Sequence, residues 1–356
     1  MADRTTPRIA VLGCGGWGKN IVRTLESVHG VAAVVDPTEE GRARAAELAP
    51  HADIYAEPGP VFADPTIDAV MVATPAETHF DLASRAIEAG KDAYVEKPLT
   101  TDLDEARRLV TLAEEHGRVL MVGHLLEYHP AIITLHEMIK NGELGEVRYI
   151  VSNRLNLGKV RTEENALWSF APHDIAVILR LIGENPERVV ATGGSFLTPG
   201  IADATVTQLA FPSGSRAHVF VSWLHPFKEQ MLVVVGAKKM ASFCDINKQL
   251  VLHDQRVDFE KGQPVPVKGE GTPVEFDQTQ TPLEAEVQHF IDRVGDRARP
   301  LTDGASGVRV LEILHAAQAS MDRNGAPVTL DPTPPADAGG TPETVVVRKE
   351  GVAHVG

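Results

Sequence analysis

The sequence is poor in cysteine, and this scarcity limits the chemistry open to it. Only Cys14 and Cys244 are present among 356 residues. Two cysteines are too few for a disulfide framework or a cysteine-based zinc site, and Cys14 is better explained as a buried loop residue than as a redox centre. The start, MADRTTPRIAVLG, also lacks the layout of a secretory signal. Both features predict a cytoplasmic protein.

Long apolar runs and positive charge are scarce as well. No apolar run approaches the roughly 18 residues needed to cross a bilayer. Lys and Arg number 34 against 49 Asp and Glu, a formal net charge of −15, which repels phosphate backbones and anionic lipid surfaces. Although 14 histidines are present, the sequence contains no HExxH motif and no close carboxylate cluster. We therefore predict no nucleic-acid partner, no membrane partner and no metal.

The first third of the chain alternates short β-branched runs with helical stretches, which is typical of βαβ units around a parallel sheet. At roughly 150 residues per domain, the length suggests two domains. We predict an α/β Rossmann domain over residues 1–125. Its clearest strand candidates are Ile9 to Gly13, Val31 to Asp36, Asp68 to Thr74, Asp92 to Pro98 and Arg118 to His124.

After Tyr128 the pattern changes, and successive strands with turn signals run from Arg188 to about Leu252. We predict a C-terminal α+β domain over residues 126–330, with a large, mostly antiparallel open sheet, and a flexible tail over residues 331–356. Its remaining elements are a helix (Pro130 to Lys140), a strand (Glu146 to Leu155), an irregular polar stretch to Trp168, a short helix (Pro172 to Ile182), and two helices that return to the first domain or brace the sheet (Leu283 to Val294 and Gly304 to Met321).

The segment Gly13-Cys14-Gly15-Gly16-Trp17-Gly18 follows the first strand and opens a helix, as the G-x-G-x-x-G dinucleotide fingerprint requires. Gly13 permits the tight turn, Gly15 and its neighbour Gly16 let the backbone approach a pyrophosphate, and Gly18 lets helix and strand pack closely. Trp17 packs nearby or flanks the cofactor.

Asp36 ends the second strand, 18 residues after Gly18. A carboxylate there can accept hydrogen bonds from the adenosine ribose diol and repel a 2′-phosphate. The nearest arginines, Arg42 and Arg44, fall in the next predicted helix. The sequence therefore favours NAD over NADP.

Two further segments end parallel strands at the carboxyl edge, where doubly wound sheets bind ligands. Thr74, Pro75 and His79 lie at or after the end of the strand candidate Asp68 to Thr74, and Glu96 and Lys97 lie near the end of the candidate Asp92 to Pro98. We predict that all five line the cofactor site. A lysine near a cationic nicotinamide can bind the oxygen of the carbon that loses hydride, although most lysines are simply solvated.

The segment Ala171-Pro172-His173-Asp174 is interpreted as a helix start, with Pro172 at the first helical position. His173, with an ordinary pKa of about 6.5, suits proton transfer from a substrate hydroxyl. Asp174 lies about 100° further round the helix, so it orients substrate or caps the helix rather than pairing with His173.

These segments resemble the Gfo/Idh/MocA oxidoreductases, which act on sugars, inositols and sugar nucleotides. The resemblance implies that Lys97 is the catalytic lysine, that His173 is the acid/base, and that a cis peptide bond precedes Pro98. It also implies a homodimer or homotetramer formed through the C-terminal sheet. The matching segments are GCGGWG, ATPAETH, EKP, GHLLEYHPAI and WSFAPHDIAVILRLIG.

The chain departs from the family at one position, because Ser169 stands where members often carry an aspartate, four residues before the histidine. A serine can bind a hydroxyl but supplies no charge. Arg154 and Asn156 are also expected to contact substrate. They lie in the polar stretch from Arg154 to Trp168, whose cationic side chains Lys159 and Arg161 suit a phosphate or a carboxylate.

His124 and Tyr128, near the end of the strand candidate Arg118 to His124, are expected to contact substrate as well, and Glu127 and His129 lie beside them. For these four residues, packing and surface roles are at least equal alternatives.

The function predicted from these features is reversible hydride transfer between NAD and a secondary alcohol of a sugar, an inositol or a nucleotide-activated sugar. Two alternatives stay open at this point. One is an NAD-dependent glycoside hydrolase of the same family, which would form no net NADH. The other is a non-catalytic NAD-sensing protein.

Overall fold

The computed structural model describes residues 6–330. The predicted tail, 331–356, lies outside these residues. The described part contains a parallel sheet of six strands in the order β3-β2-β1-β4-β5-β6. These strands are β1 (Ile9–Leu12), β2 (Ala33–Val35), β3 (Asp53–Tyr55), β4 (Ala69–Val72), β5 (Asp92–Glu96) and β6 (Leu120–Gly123).

Four strands of this sheet are buried on both faces, since every residue of β1, β4, β5 and the edge strand β6 is buried. Continuous apolar strands of this kind are expected where helices cover both sides of a parallel sheet. The covering helices are α1 (Gly18–Val28), α2 (Glu39–Leu48), α3 (Gly59–Ala63), α4 (His79–Glu88) and α5 (Leu103–Glu115).

The second sheet contains nine strands within residues 6–330, in the order β16-β13-β12-β11-β7-β10-β9-β8-β17. Only the pair of β7 and β10 is parallel. The strands are β7 (Val147–Leu157), β8 (Arg188–Gly194), β9 (Ala204–Ala210), β10 (Arg216–Ser222), β11 (Leu224–Gly236), β12 (Met240–Cys244), β13 (Gln249–His253), β16 (Gly271–Val274) and β17 (Val328–Thr329), and a separate hairpin is formed by β14 (Arg256–Glu260) and β15 (Gln263–Val267).

Four helices accompany the second sheet along the chain. They are α6 (Pro130–Lys140), α7 (Ala166–Ile182), α8 (Pro282–Asp296) and α9 (Gly304–Asp322). The fold predicted from the sequence, a Rossmann domain plus an α+β domain with a large, mostly antiparallel sheet, is confirmed.

The predicted start of α7 is wrong. The helix begins six residues earlier than expected, at Ala166, and Asn165 caps it by accepting a hydrogen bond from the Trp168 N–H. Pro172 therefore lies inside the helix, where it cannot donate to the carbonyl of Trp168. The irregular stretch predicted between Leu155 and Trp168 is correspondingly shorter, because β7 continues to Leu157 and α7 begins at Ala166.

The helix α8 leaves the second sheet and joins the core of the first. Its side chains Val287, Phe290 and Val294 share a buried cluster with Ile9 and Ile21. The predicted domain bounds, 1–125 and 126–330, divide the chain by sequence alone. In the structure, residues 282–296 of the second segment pack against the first sheet. The helix α9 instead packs between α5, α7 and β8.

No helix of the described part is long and apolar enough to cross a membrane.

Candidate active site

Three loops meet at the carboxyl edge of the first sheet, because β1, β4 and β5 are neighbours there. The turn after β1 is tight: Gly13 has φ +99°, and a Cβ at this residue would lie 2.7 Å from the Ala73 carbonyl oxygen. A Cβ on Gly18 would lie 2.1 Å from the Gly13 oxygen. Both positions therefore require glycine for the close approach of helix α1 to the strands.

The middle of the glycine loop is open. A Cβ built on Gly15 or Gly16 would meet no atom within 4 Å. This open stretch leads into the N-terminus of α1, whose first turn carries no acidic side chain. Backbone N–H groups at such a terminus attract a pyrophosphate, so these residues fit a dinucleotide.

Asp36 is more occupied than the sequence suggested. Its carboxylate accepts hydrogen bonds from the Cys14 N–H at 2.8 Å, the Thr38 N–H at 2.9 Å and the Thr38 hydroxyl at 2.6 Å. These bonds hold the glycine loop against the end of β2 and, despite burial, lower the pKa of Asp36. About one of its four acceptor positions remains for a ribose hydroxyl.

The arginines of α2 also reach this loop. Arg42 donates to the carbonyls of Asp36 and Pro37, and Arg44 donates to the Cys14 carbonyl at 2.5 Å. Both guanidinium groups are thus engaged by backbone oxygens beside the ionised Asp36.

Hydrogen bonds cross-link the three loops. The Trp17 indole Nε1 donates to Glu96 Oε1 at 2.6 Å and so joins the glycine loop to the end of β5. The ring nitrogens of the buried His79 lie 2.8 Å from the Pro98 carbonyl oxygen and 3.0 Å from that of Thr74. His79 is therefore a structural link between two site loops, and Pro75 lies between Thr74 and the short turn that leads to it.

Lys97 extends from the end of β5 toward helix α7. Its Nζ donates to the Ser169 carbonyl at 3.3 Å. Burial lowers the pKa of Lys97, and the negative charges of Glu164 and Glu96 oppose this effect. The Lys97–Pro98 peptide bond is cis, as the resemblance implies. Glu164, which the sequence did not single out, lies one residue before the cap of α7 and also pairs with Arg161 at 3.0 Å.

Ser169 and His173 lie one helical turn apart on α7 and therefore share a face. The Ser169 hydroxyl and His173 Nδ1 are buried and have no hydrogen-bond partner among residues 6–330. Burial holds the pKa of His173 well below its ordinary value, and the charge of Lys97 adds to the effect. His173 is therefore neutral at neutral pH and can accept a proton.

Asp174 is neither a helix cap nor free to orient a ligand. Its carboxylate accepts hydrogen bonds from Arg154 Nε at 2.9 Å and from the Ser152 hydroxyl at 2.7 Å. Helix α7 is thereby fixed to strand β7.

Further along the same strand, the Asn156 Oδ1 is buried without a partner in the described chain, close to Gly158.

Of the four residues singled out after β6, only His124 has free polar atoms. It is 2% exposed, both ring nitrogens lack a partner within the described part, and burial lowers its pKa to about 3, with a smaller effect from Lys97. Tyr128 does not fit the predicted substrate contact, because its hydroxyl lies 2.9 Å from that of Thr302 and its ring packs on His289 in the core.

The other two residues after β6 have structural partners. Glu127 lies 3.6 Å from Arg180, and burial raises its pKa to about 7. His129 caps α6 by accepting a hydrogen bond from the Ala131 N–H. In the predicted substrate stretch, Asn165 is likewise structural, because it caps α7.

Within residues 6–330, no group of three metal-ligating side chains is close enough together to hold an ion.

The chain matches two family models. Residues 7–124 match an oxidoreductase family with an NAD-binding Rossmann fold, and residues 132–242 match the GFO/IDH/MocA C-terminal domain. Together these matches cover more than half of the chain. The first matched segment contains the glycine loop and Lys97, and the second contains Ser169 and His173.

Similar proteins extend over nearly the whole chain. The UDP-N-acetylglucosamine 3-dehydrogenase of Acidithiobacillus ferrooxidans is 28% identical over 85% of this chain and 94% of its own length. The scyllo-inositol 2-dehydrogenase (NAD(+)) of Bacillus subtilis is 29% identical over 91% of this chain and 96% of its own.

A solved structure of the Acidithiobacillus ferrooxidans enzyme matches with a TM-score of 0.76 and 26% identity, over 89% of this chain and 98% of that one. Both domains of the fold are thus shared with this relative. The chain belongs to the Gfo/Idh/MocA oxidoreductase family, and its first domain is an NAD-binding Rossmann domain.

Proposed function

We propose that this protein transfers hydride reversibly between NAD and a secondary alcohol of a sugar, an inositol or a nucleotide-activated sugar. One observation carries the proposal: the Lys97 ammonium, next to the glycine loop, reaches the face of α7 that presents His173. The relatives support the substrate class, since they are named as dehydrogenases of a UDP-sugar and of an inositol.

Bound NAD supplies a hydride acceptor, and NADH a donor. In the oxidation direction, the Lys97 ammonium donates a hydrogen bond to the substrate oxygen and stabilises negative charge as the O–H proton leaves. The neutral His173 ring accepts that proton while the C–H bond loses its hydride, so that a carbonyl forms. In the reduction direction, the same two side chains return the proton and hold the oxygen.

Ser169 acts beside His173 as a neutral hydrogen-bonding group. Its hydroxyl is buried and can bind a substrate hydroxyl. The carboxylate nearest to His173 in sequence, Asp174, is held by Arg154 and Ser152. His173 therefore works without a directly paired carboxylate. Among the described residues, no adjacent negative charge raises its pKa, which burial and the charge of Lys97 lower.

NAD is favoured over NADP because the ionised Asp36 lies at the end of β2, where a 2′-phosphate would meet its charge. The nearby Arg42 and Arg44 already donate to backbone oxygens. No observation favours the glycoside hydrolase or the NAD-sensing alternative.

The test is NADH formation across a panel of UDP-sugars, free sugars, uronates and inositols, with NAD and with NADP. We expect one substrate class to give a signal with NAD, and Lys97→Ala to lower kcat/KM about 10³-fold while NAD still binds. Lys140→Ala, at an exposed lysine on α6, is the matched control. Silence of the wild type across the panel, with NAD bound, would contradict the proposal.

We also infer a homodimer or homotetramer whose subunits meet through the second sheet. One face of this sheet is covered by α7 and α9, whereas large apolar side chains such as Tyr149 and Val206 are 42% and 37% exposed. Light scattering should give two or four subunits, and Tyr149→Glu should lower the mass. A wild-type monomer would contradict this inference.

The inferred cytoplasmic location rests on the scarcity of cysteine.

A further inference from the structure

Three buried side chains connect helix α8 to the strand that carries Lys97. The Tyr94 hydroxyl, on β5, lies 2.9 Å from Glu96 Oε1 and 3.2 Å from Glu286 Oε2 on α8. Tyr94 and Glu286 are fully buried, and Glu96 is 8% exposed. Two carboxyl groups therefore face one hydroxyl in the interior, directly behind the site loops.

The number of protons decides the charge of this group. A tyrosine hydroxyl has one proton and can donate it to only one carboxylate. If both carboxyl groups were ionised, one would face the hydroxyl oxygen without a hydrogen atom between them, and two uncompensated charges would share a dry site. One carboxyl group must therefore carry a proton and donate it to the Tyr94 oxygen.

The surroundings identify which carboxyl group is protonated. Burial raises the pKa of Glu96, but hydrogen bonds from the Trp17 indole at 2.6 Å and from the Lys97 N–H at 3.2 Å, together with the charge of Lys97, oppose this effect. Glu286 has no such support, because its Oε1 has no partner among the described residues.

The charged groups that face Glu286 also favour its protonation. Burial raises the pKa of Glu286 well above its ordinary range, and the negative charges of Glu96 on β5 and Glu127 after β6 add to this effect. The nearest cation to Glu127, Arg180, lies 3.6 Å from that carboxylate. The Lys97 ammonium acts on Glu96, so these two cations are paired with the other carboxyl groups and not with Glu286.

The neighbouring strand leaves room for this arrangement. A Cβ on Gly123 of β6 would lie 2.5 Å from the Tyr94 hydroxyl oxygen and 3.1 Å from the Glu96 carboxyl carbon. Any other residue at this position would displace one of the two groups. The absence of a side chain at Gly123 thus fixes where Tyr94 and Glu96 meet.

We propose that Glu286 is a protonated positioning residue: it donates to Tyr94, so that the single Tyr94 proton is directed to Glu96. One negative charge then lies beneath Trp17 and Lys97, not two. The role of this charge beside Lys97 rests on the proposed function, whereas the protonation of Glu286 does not.

The first test is infrared difference spectroscopy of the substrate-free protein, which reports the C=O stretch of a protonated carboxyl group. Wild type minus Glu286→Gln should show the loss of one such band. Asp292→Asn, at an exposed carboxylate of the same helix, should show none. The spectra are recorded well above pH 7, where Glu127, with its pKa of about 7, is ionised. A difference spectrum without the band would overturn the assignment, and this result does not depend on finding the substrate.

The second test compares two substitutions of Glu286 by their pH profiles. Glu286→Leu leaves the Tyr94 oxygen without a donor. The Tyr94 hydroxyl is then a weaker donor and stabilises the Glu96 charge less, so the pKa of Lys97 falls. We expect kcat/KM to drop about three- to tenfold, with its alkaline limb shifted to lower pH. Glu286→Gln, whose amide can donate as a protonated acid does, should restore most of this loss. Equal losses in both variants would contradict the positioning role.

Discussion

The two sides of the site differ in how completely their polar groups are bonded. On the cofactor side, Asp36, His79 and Glu96 each join two segments of chain through hydrogen bonds. On the substrate side, Ser169, His173 and His124 carry buried polar atoms that lack a partner among residues 6–330. Lys97 joins the two sides, because its Nζ donates to the Ser169 carbonyl.

This difference separates what the protein builds by itself from what a ligand completes. Buried polar groups are nearly always hydrogen-bonded, so a concentration of unpaired ones marks where the polar groups of a ligand belong. A polyhydroxylated substrate offers such groups. The cofactor side is thus hydrogen-bonded within the protein, whereas the hydroxyl groups of a substrate would supply the missing partners on the substrate side.

The largest effect expected on the substrate side follows replacement of His173. His173→Gln removes the proton acceptor, and kcat/KM for alcohol oxidation should fall about 10²-fold. Since the pKa of His173 is lowered in the folded protein, wild-type activity should stay level as pH falls through about 6.5 and decline only further below.

The exposed His116→Gln is the matched control and should leave the rate unchanged. An acid limb of the wild type that lies at or above the ordinary histidine pKa would show that His173 is not held neutral by its surroundings, and the contrast between the two sides would then lose its electrostatic basis.

The contrast also predicts unequal effects on stability. His79→Ala removes the link between the Thr74 and Pro98 loops and leaves a cavity, so the free energy of unfolding should fall by about 2 kcal/mol. Ser169→Ala removes a hydroxyl that bonds to nothing in the described structure and should change it by less than about 0.5 kcal/mol. Denaturant titration measures both values. A larger cost for Ser169→Ala would break the comparison.

A small effect on cofactor binding is expected for Trp17. Trp17→Phe keeps an aromatic ring but loses the hydrogen bond to Glu96, so NAD affinity should weaken about three- to tenfold. Calorimetric titration measures the Kd. Glu96→Gln also disturbs the bonds of Glu96 to Tyr94 and to the Lys97 N–H, so the comparison needs a double-mutant cycle. The loss in the double variant should be smaller than the sum of the two single losses, and additive losses would show that the two residues act separately.

Much of the first domain could be predicted from the sequence because its signals are local. Buried parallel strands read as continuous apolar runs, and the glycine loop must follow the first of them. Lys97 could be placed at the carboxyl edge for the same reason. The roles of His79 and Asp36 as structural links could not, because their partners depend on how separate loops approach one another.

The start of α7 was missed because Pro172 resembles a first-turn proline. The better signal was Asn165 followed by the apolar residues Ala166 and Leu167, which continue the buried face upstream. Glu286 was also missed, although it interrupts the apolar face formed by Phe290 and Val294, four and eight residues later. Its partner Tyr94 is 192 residues away, a pairing that no local pattern reveals.

The position of α8 has a consequence for how the chain folds as it is synthesised. Phe290 and Val287 complete the core behind β1 and α1, yet they emerge from the ribosome long after those elements. Until about residue 296 is made, one side of the first sheet exposes apolar surface, and Tyr94 lacks its hydrogen-bond partner Glu286. Domains usually fold in order from the N-terminus, but here the cofactor-binding domain can be finished only after most of the second domain exists.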